Sequence, residues 1–105
     1  MIFVVQAKDH DDAHERRVAV LASHRAYQSR APGELGVSVL MAGPLTTEDG
    51  EMMNGSFFLI SSANRSKVEQ LVAGDPLNTA NVWESFTVNR VQVRRNNVGP
   101  LGRDT

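Results

Sequence analysis

One histidine and its neighbours on a predicted helix are the first residues in this chain that could move a proton. His24 lies in VAVLASHRAYQ, where Arg17, Val20 and Leu21 share its face at helical spacing. An imidazole beside an apolar helix face needs a hydrogen-bond partner. Two roles are open: a core histidine that bonds a backbone carbonyl, or a general acid or base working near neutral pH.

An aspartate in LVAGDPLN is the second candidate for proton chemistry. Asp75 follows a predicted helix and directly precedes Pro76, a position where a carboxylate commonly caps a short turn. A carboxylate can instead hold one nitrogen of a histidine, which fixes the tautomer and makes the other nitrogen more basic. The residues alone leave both roles open.

Other side chains could touch a small ligand. Arg17 stands seven residues before His24 on the same predicted helix. Its guanidinium could meet a carboxylate or phenolate of a substrate, although most helix arginines simply face solvent. Trp83 and Tyr27 each combine a large aromatic ring with a polar group, so either could line a pocket or pack in the core.

The segment HDDAHE resembles a metal site, because His10 and His14 are four residues apart and flanked by carboxylates. Asp11 or Asp12 is expected to cap the following helix, which leaves His10 outside its first turn. The sequence offers no further cluster of histidine or cysteine. We therefore predict no metal site.

Composition excludes several classes of function. The 105-residue chain carries a formal net charge of -1 and has no cysteine, so disulfides, thiolate nucleophiles and cysteine-bound metals are excluded. No basic stripe interleaved with aromatic residues points to nucleic acid, and no apolar run approaches the length of a membrane span. We expect a cytoplasmic protein that binds neither nucleic acid nor membrane.

The elements that must position these residues follow from hydrophobic periodicity and from stop signals. Pro32 and Gly33 are expected to end the first helix, and a polar loop is expected over 44–55. Asn64 or Ser66 should cap the second helix, and Gly74 should end it. Strands are predicted at 2–7, 35–43, 56–62 and 82–94, and helices at 13–30 and 64–74.

The element order β-α-β-β-α-β predicts an α+β, ferredoxin-like fold with an antiparallel four-stranded sheet and both helices on one face. We assign residues 1–94 to this domain and residues 95–105 to a flexible C-terminal tail. Apolar residues are expected on both sheet faces. The face without helices should therefore pack against a second copy, which predicts a homodimer or a higher homo-oligomer.

The motifs together resemble the YCII-like family over about residues 1–93. They are an apolar first strand, RVAVLASH, MAGPL, GSFFLISS and GDPLNTANVWESFTV, in this order. The resemblance implies that the ferredoxin-like domains pair into a dimeric α+β barrel. It also implies a pocket where His24 meets Asp75 as a catalytic pair.

On the same resemblance, Arg17, Gly43, Pro44, Ser56 and Trp83 are assigned to substrate binding. The family includes a dehydrochlorinase of a chlorinated hydroxyquinol-type aromatic. The hypothesis is a small cofactor-independent enzyme that eliminates or isomerises a small aromatic or lactone-like substrate with a His–Asp acid–base pair. The alternatives are a non-catalytic small-molecule-binding or accessory dimeric module and a haem- or metal-dependent protein. The loop from Thr46 to Asn54 departs from the family pattern and borders the expected site.

Overall fold

A computed structural model describes residues 1–101 and has the predicted α+β, ferredoxin-like element order. A short helical turn, α3, stands between the second helix and the last strand. The elements are β1 (Ile2–Asp9), α1 (His14–Leu35), β2 (Ser38–Thr46), β3 (Met53–Ser61), α2 (Arg65–Ala73), α3 (Pro76–Thr79) and β4 (Trp83–Val91).

The four strands form one antiparallel sheet in the order β2-β3-β1-β4. Val5 of β1 pairs with Phe58 of β3 and with Val88 of β4. Burial alternates along β1: Phe3 and Val5 are buried among core residues, whereas Val4 between them is only half-buried. Alternation places successive side chains on opposite faces, so the core lies between one sheet face and the helices.

The second helix follows its sequence signals. The Asn64 side chain caps α2 by accepting a hydrogen bond from the Lys67 N–H at 3.0 Å, and the helix ends at Gly74. Val68, Leu71 and Val72 face the core and are almost fully buried. Because α2 ends at Gly74, the chain turns directly into Asp75 and α3.

The first helix is longer than predicted, because it continues one turn past Pro32. A proline removes one backbone hydrogen bond from a helix interior. Buried Ala31 and partly buried Leu35 pack in or against the core and hold the extra turn. Gly36 ends the helix in the left-handed region with φ 71°, and its N–H bonds the Gly33 carbonyl at 3.2 Å.

The start of α1 also differs from its prediction. Ala13 is the capping residue, and no side chain supplies a capping hydrogen bond there. Asp12 lies beside Arg16 instead, with 3.4 Å between the carboxylate and the guanidinium. Ala13 is fully buried, so packing rather than an aspartate cap fixes where the helix begins.

The second and third strands extend further into the hairpin that joins them than predicted. Half of the expected 44–55 loop belongs to the two strands, and only residues 47–52 connect β2 to β3. Pro44 sits within β2 opposite Ser56. A proline is tolerated there because β2 is an edge strand of the sheet.

The sheet face without helices carries partly exposed apolar side chains: Val4, Met41, Leu45, Phe57 and Leu59. We call this the open face. Residues 92–101 follow β4 without helix or strand, and several of them border a shallow groove with Met41 and Leu59. The predicted flexibility of the tail stays a prediction, and its residues 102–105 lie outside the described part of the chain.

Candidate functional site

His24 and Asp75, 51 residues apart in sequence, lie side by side in the fold. His24 Nδ1 is 2.8 Å from Asp75 Oδ2 and 3.0 Å from Oδ1. The Asp75 side chain is completely buried, while the His24 side chain keeps 20% of its surface exposed. α1 supplies the histidine, and the turn between α2 and α3 supplies the carboxylate.

Asp75 has two structural roles at once. Its Oδ1 accepts the Leu77 N–H at 2.8 Å and so caps α3. Its Oδ2 accepts the Gln28 side-chain amide at 2.8 Å, from one turn further along α1 than His24. The two local roles that the sequence left open, turn cap and histidine partner, therefore coexist in one carboxylate.

The Asp75 carboxylate leads us to expect the proton of the neutral His24 ring on Nδ1. An ionised carboxylate only accepts hydrogen bonds, so Nδ1 must be the donor in the pair. In the neutral ring Nε2 is then left with its lone pair. Nε2 makes no hydrogen bond within residues 1–101, so in this tautomer it is free to accept a proton and, once protonated, to return it.

A cleft of about 200 Å³ opens beside the His24 ring, between α1 and the β2–β3 hairpin. Leu21 and Phe58 form apolar parts of its wall, and the Phe58 and His24 ring centroids are 6.4 Å apart. The lining residues are Arg17, Leu21, His24, Arg25, Ala42, Gly43, Pro44, Met53, Ser56 and Phe58. A small aromatic ring would lie against carbon atoms there, within reach of one imidazole nitrogen.

Arg17 borders the cleft, but most of its guanidinium is bound by other residues of the protein. Its Nε and Nη2 bind the Asp9 carboxylate at 2.7 and 3.0 Å, and Nη2 also donates to the Gly55 carbonyl and to Ser56 Oγ. Both side chains of the pair are nearly fully buried. Within residues 1–101 the remaining nitrogen, Nη1, makes no hydrogen bond. The predicted contact with substrate stays a prediction and would fall to Nη1.

Ser56 joins Arg17 to the aromatic core. Its Oγ accepts hydrogen bonds from Arg17 Nη2 at 2.8 Å and from Trp83 Nε1 at 3.1 Å. Because a hydroxyl oxygen has two lone pairs and one proton, these contacts leave the Ser56 O–H as the free donor. Ser56 lines the cleft, so its proton can be offered to a substrate oxygen.

The structure brings the predicted site residues together in two layers. Arg17, His24, Gly43, Pro44 and Ser56 line the cleft itself. The other two predicted residues lie behind the lining: the aspartate behind His24, and the buried tryptophan behind Ser56. The functional roles of all seven stay predictions.

Several residues that support or line the site were not assigned to it from the sequence, and three of them are instructive. Gln28 follows His24 by one helical turn, a spacing that could have suggested a shared partner. Asp9 holds Arg17, but it comes from a strand end and carries no local signal of that contact. Phe58 was visible only as an alternating strand residue.

The HDDAHE segment does not gather a metal-binding set in the structure. His10 Nε2 lies 3.2 Å from Asn81 Oδ1, and its Nδ1 lies 3.9 Å from Glu84. Residues 1–101 contain no group of three or more His, Asp or Glu side chains placed to hold a metal ion. Across the same residues, no helix is both long and apolar enough to cross a membrane.

Tyr27, on the same helix as His24, is expected to make the stability of the fold depend on pH in alkali. Its hydroxyl donates to the Leu71 carbonyl at 2.7 Å, and burial, followed by the Asp75 charge, raises the pKa of Tyr27 above 10.0. A raised folded-state pKa stabilises the fold below the unfolded value and loses that contribution as pH rises through the folded value. We expect the free energy of unfolding to fall in alkali above about pH 10.

Absorbance of tyrosinate measures this prediction directly, because Tyr27 is the only tyrosine in the chain. The folded protein should titrate above the value of the urea-unfolded protein. In a Tyr27→Phe variant, the free energy of unfolding, measured with denaturant, should fall less steeply as the pH rises in alkali. Titration of folded Tyr27 at or below the unfolded value would contradict the account.

Comparisons with known proteins agree with this architecture. The chain resembles 5-chloro-2-hydroxyhydroquinone dehydrochlorinase from Burkholderia phenoliruptrix AC1100, solved in complex with 2,5-dihydroxybenzoquinone. The TM-score is 0.75 at 25% sequence identity, over 88% of this chain and 94% of that chain. Among curated proteins, none matches the sequence.

A second similar structure is a dimeric protein of unknown function with a ferredoxin-like fold from Bacteroides fragilis NCTC 9343. Its TM-score is 0.52 at 20% identity, over 84% of this chain and 90% of that chain, which supports the fold alone. The family model described as the YCII-related domain matches residues 1–92. Because this match spans most of the sequence, the chain belongs to the YCII-related family.

Proposed function

We propose that this protein is a small-molecule enzyme in which His24 exchanges a proton with a substrate bound in the cleft. One observation carries the proposal: the buried Asp75 carboxylate holds Nδ1 at 2.8 Å, and the ring borders the cleft. A positioned acid–base group of this kind accelerates proton transfer about 10²- to 10⁴-fold. Ser56 and Nη1 of Arg17 offer donors for a substrate oxygen.

The reaction class that fits best is elimination from a small hydroxylated ring, and the similarity to the Burkholderia dehydrochlorinase supports it. The reacting form is the keto tautomer of a chlorinated hydroxyquinol, in which a saturated carbon bears the chlorine. A hydroxyl proton passes to His24 Nε2, and the oxygen lone pair becomes a carbonyl bond. The adjacent ring C=C bond breaks, and its electron pair forms a new C=C bond to the carbon that bears the chlorine. The carbon–chlorine bond breaks, and its electron pair leaves with chloride. The net change is loss of HCl.

Chloride release from 5-chloro-2-hydroxyhydroquinone tests this proposal. The compound is incubated with the protein without oxygen, because hydroxyquinols oxidise in air. We expect chloride and the quinone product to form one to one, above the rate in buffer. Calorimetric binding of the compound without chloride release would reject the enzymatic proposal and favour the binding module. Absence of both binding and turnover would reject this substrate class.

We further propose that the protein is a homodimer joined through the open face. The partly exposed apolar side chains there include Leu59 and Met41, and exposed patches of this kind commonly mark protein interfaces. The Bacteroides structure is described as dimeric. Pairing two such sheets would bury both faces and form the α+β barrel.

A Leu59→Glu variant tests the dimer, because it places a charge at the centre of the open face. Light scattering on size-exclusion fractions should give twice the 11.5 kDa chain mass for the natural protein and the single mass for the variant. Val18→Glu is the matched control, since Val18 is an exposed apolar residue of α1. A monomeric natural protein, or a Leu59→Glu variant that stays dimeric, would reject this interface.

A further inference from the structure

The charges around the cleft are unevenly balanced. Its lining includes Arg17, His24 and Arg25 but no carboxylate. The charge of Arg17 is balanced by the carboxylate of Asp9, which binds it in a buried ion pair. While the His24 ring is neutral, the unbalanced positive charge on the lining therefore comes from Arg25, which is exposed at the mouth of the cleft.

Arg25 differs from the other three arginines of α1. Arg16 lies 3.4 Å from Asp12, Arg17 lies 2.7 Å from Asp9, and Arg30 lies 3.3 Å from Glu34. The guanidinium of Arg25 forms no ion pair or hydrogen bond within residues 1–101. An arginine left unpaired beside a cleft without carboxylates has its donors available for an incoming anion.

We propose that Arg25 determines specificity by binding the anionic oxygen of the substrate at the mouth of the cleft. This inference rests on the proposed function only in taking the cleft as the substrate site. The ligand class is a small planar ring with an ionised enol or phenol oxygen. Leu21 and Phe58 pack against the ring, and the planar guanidinium donates to its negative oxygen.

The position of Arg25 separates its role from that of His24. An arginine at the mouth would contact the anionic oxygen before and during the reaction, so it binds substrate and transition state alike. Interactions of that kind lower KM and leave kcat nearly unchanged. Arg25 is thus a binding residue, and its loss should not stop proton transfer by His24.

Calorimetry with two inert rings tests the inference. The probes are 2,5-dihydroxybenzoquinone, which is an anion near neutral pH, and neutral 2,5-dimethoxybenzoquinone. Arg25→Gln should weaken binding of the anionic probe roughly tenfold or more at low salt, with a smaller difference at high salt. Arg30→Gln, which removes an arginine outside the cleft from the same helix, should bind like the natural protein.

Several results would overturn the inference. One is unchanged binding of the anionic probe by Arg25→Gln, and another is an equal loss for the charged and neutral probes. Failure of the natural protein to bind the anionic probe would overturn it as well. Anion binding through Arg25 without chloride release would leave this inference standing and reject the proposed reaction. Turnover by Arg25→Gln with the KM of the natural protein would reject this inference and leave the proposed reaction standing.

Discussion

Replacing Arg17 with methionine is expected to lower the free energy of unfolding by about 3–5 kcal/mol, the usual cost of removing one partner from a buried ion pair. The substitution leaves the Asp9 carboxylate, which is 5% exposed, without its cation. It also removes the donor to the Gly55 carbonyl and to Ser56 Oγ. Because small domains are stable by only about 5–15 kcal/mol, the variant should unfold at much lower urea concentration.

Two further variants separate the buried pair from a general effect of lost charge. Arg16→Met removes a half-exposed partner of Asp12 and should cost no more than about 1 kcal/mol. The double variant Arg17→Met with Asp9→Leu removes both buried charges and should recover part of the lost stability. An Arg17→Met variant as stable as Arg16→Met would contradict the buried anchor.

The second large effect is expected on turnover. Replacing His24 with glutamine should reduce kcat about 10²- to 10⁴-fold, the usual contribution of one general acid or base. Glutamine can still donate a hydrogen bond to Asp75, but it cannot accept a proton at neutral pH. The fold should persist, because the His24 side chain is partly exposed and the capping bond from the Leu77 N–H to the Asp75 carboxylate is unaffected.

Steady-state rates measure this prediction once a turned-over substrate is in hand. His14→Gln is the matched control, because His14 is an exposed histidine of α1 that lies outside the cleft lining. The control should keep the natural rate. Turnover by His24→Gln close to that of the natural protein would remove His24 from the mechanism. Circular dichroism of both variants distinguishes lost chemistry from lost structure.

The sequence predicted the fold well because its patterns are local. Alternation and capping signals located every strand and both main helices, including the Asn64 cap of α2. It misplaced boundaries where tertiary packing overrides a local preference. The first helix continues past Pro32 because its last turn packs against the core. Pro44 lies in an edge strand, whose outer side makes no backbone hydrogen bonds to another strand.

The site could be predicted only in part, because its contacts join distant segments. Local chemistry identified His24 and the capping role of Asp75, but only the family resemblance indicated that they meet. No short-range pattern shows that Asp9, at the end of β1, neutralises Arg17 on α1. Arg25 carries no signal at all in sequence, since its unpaired state depends on where every other charge lies.

The most direct test of the central claim is to locate one proton on His24. Two-bond proton–nitrogen correlation by NMR, at a pH where the ring is neutral, distinguishes protonated from unprotonated ring nitrogens without any substrate. We predict protonated Nδ1 and unprotonated Nε2, and a loss of this preference in Asp75→Asn. A proton on Nε2 in the natural protein, or the same tautomer preference in the variant, would contradict it.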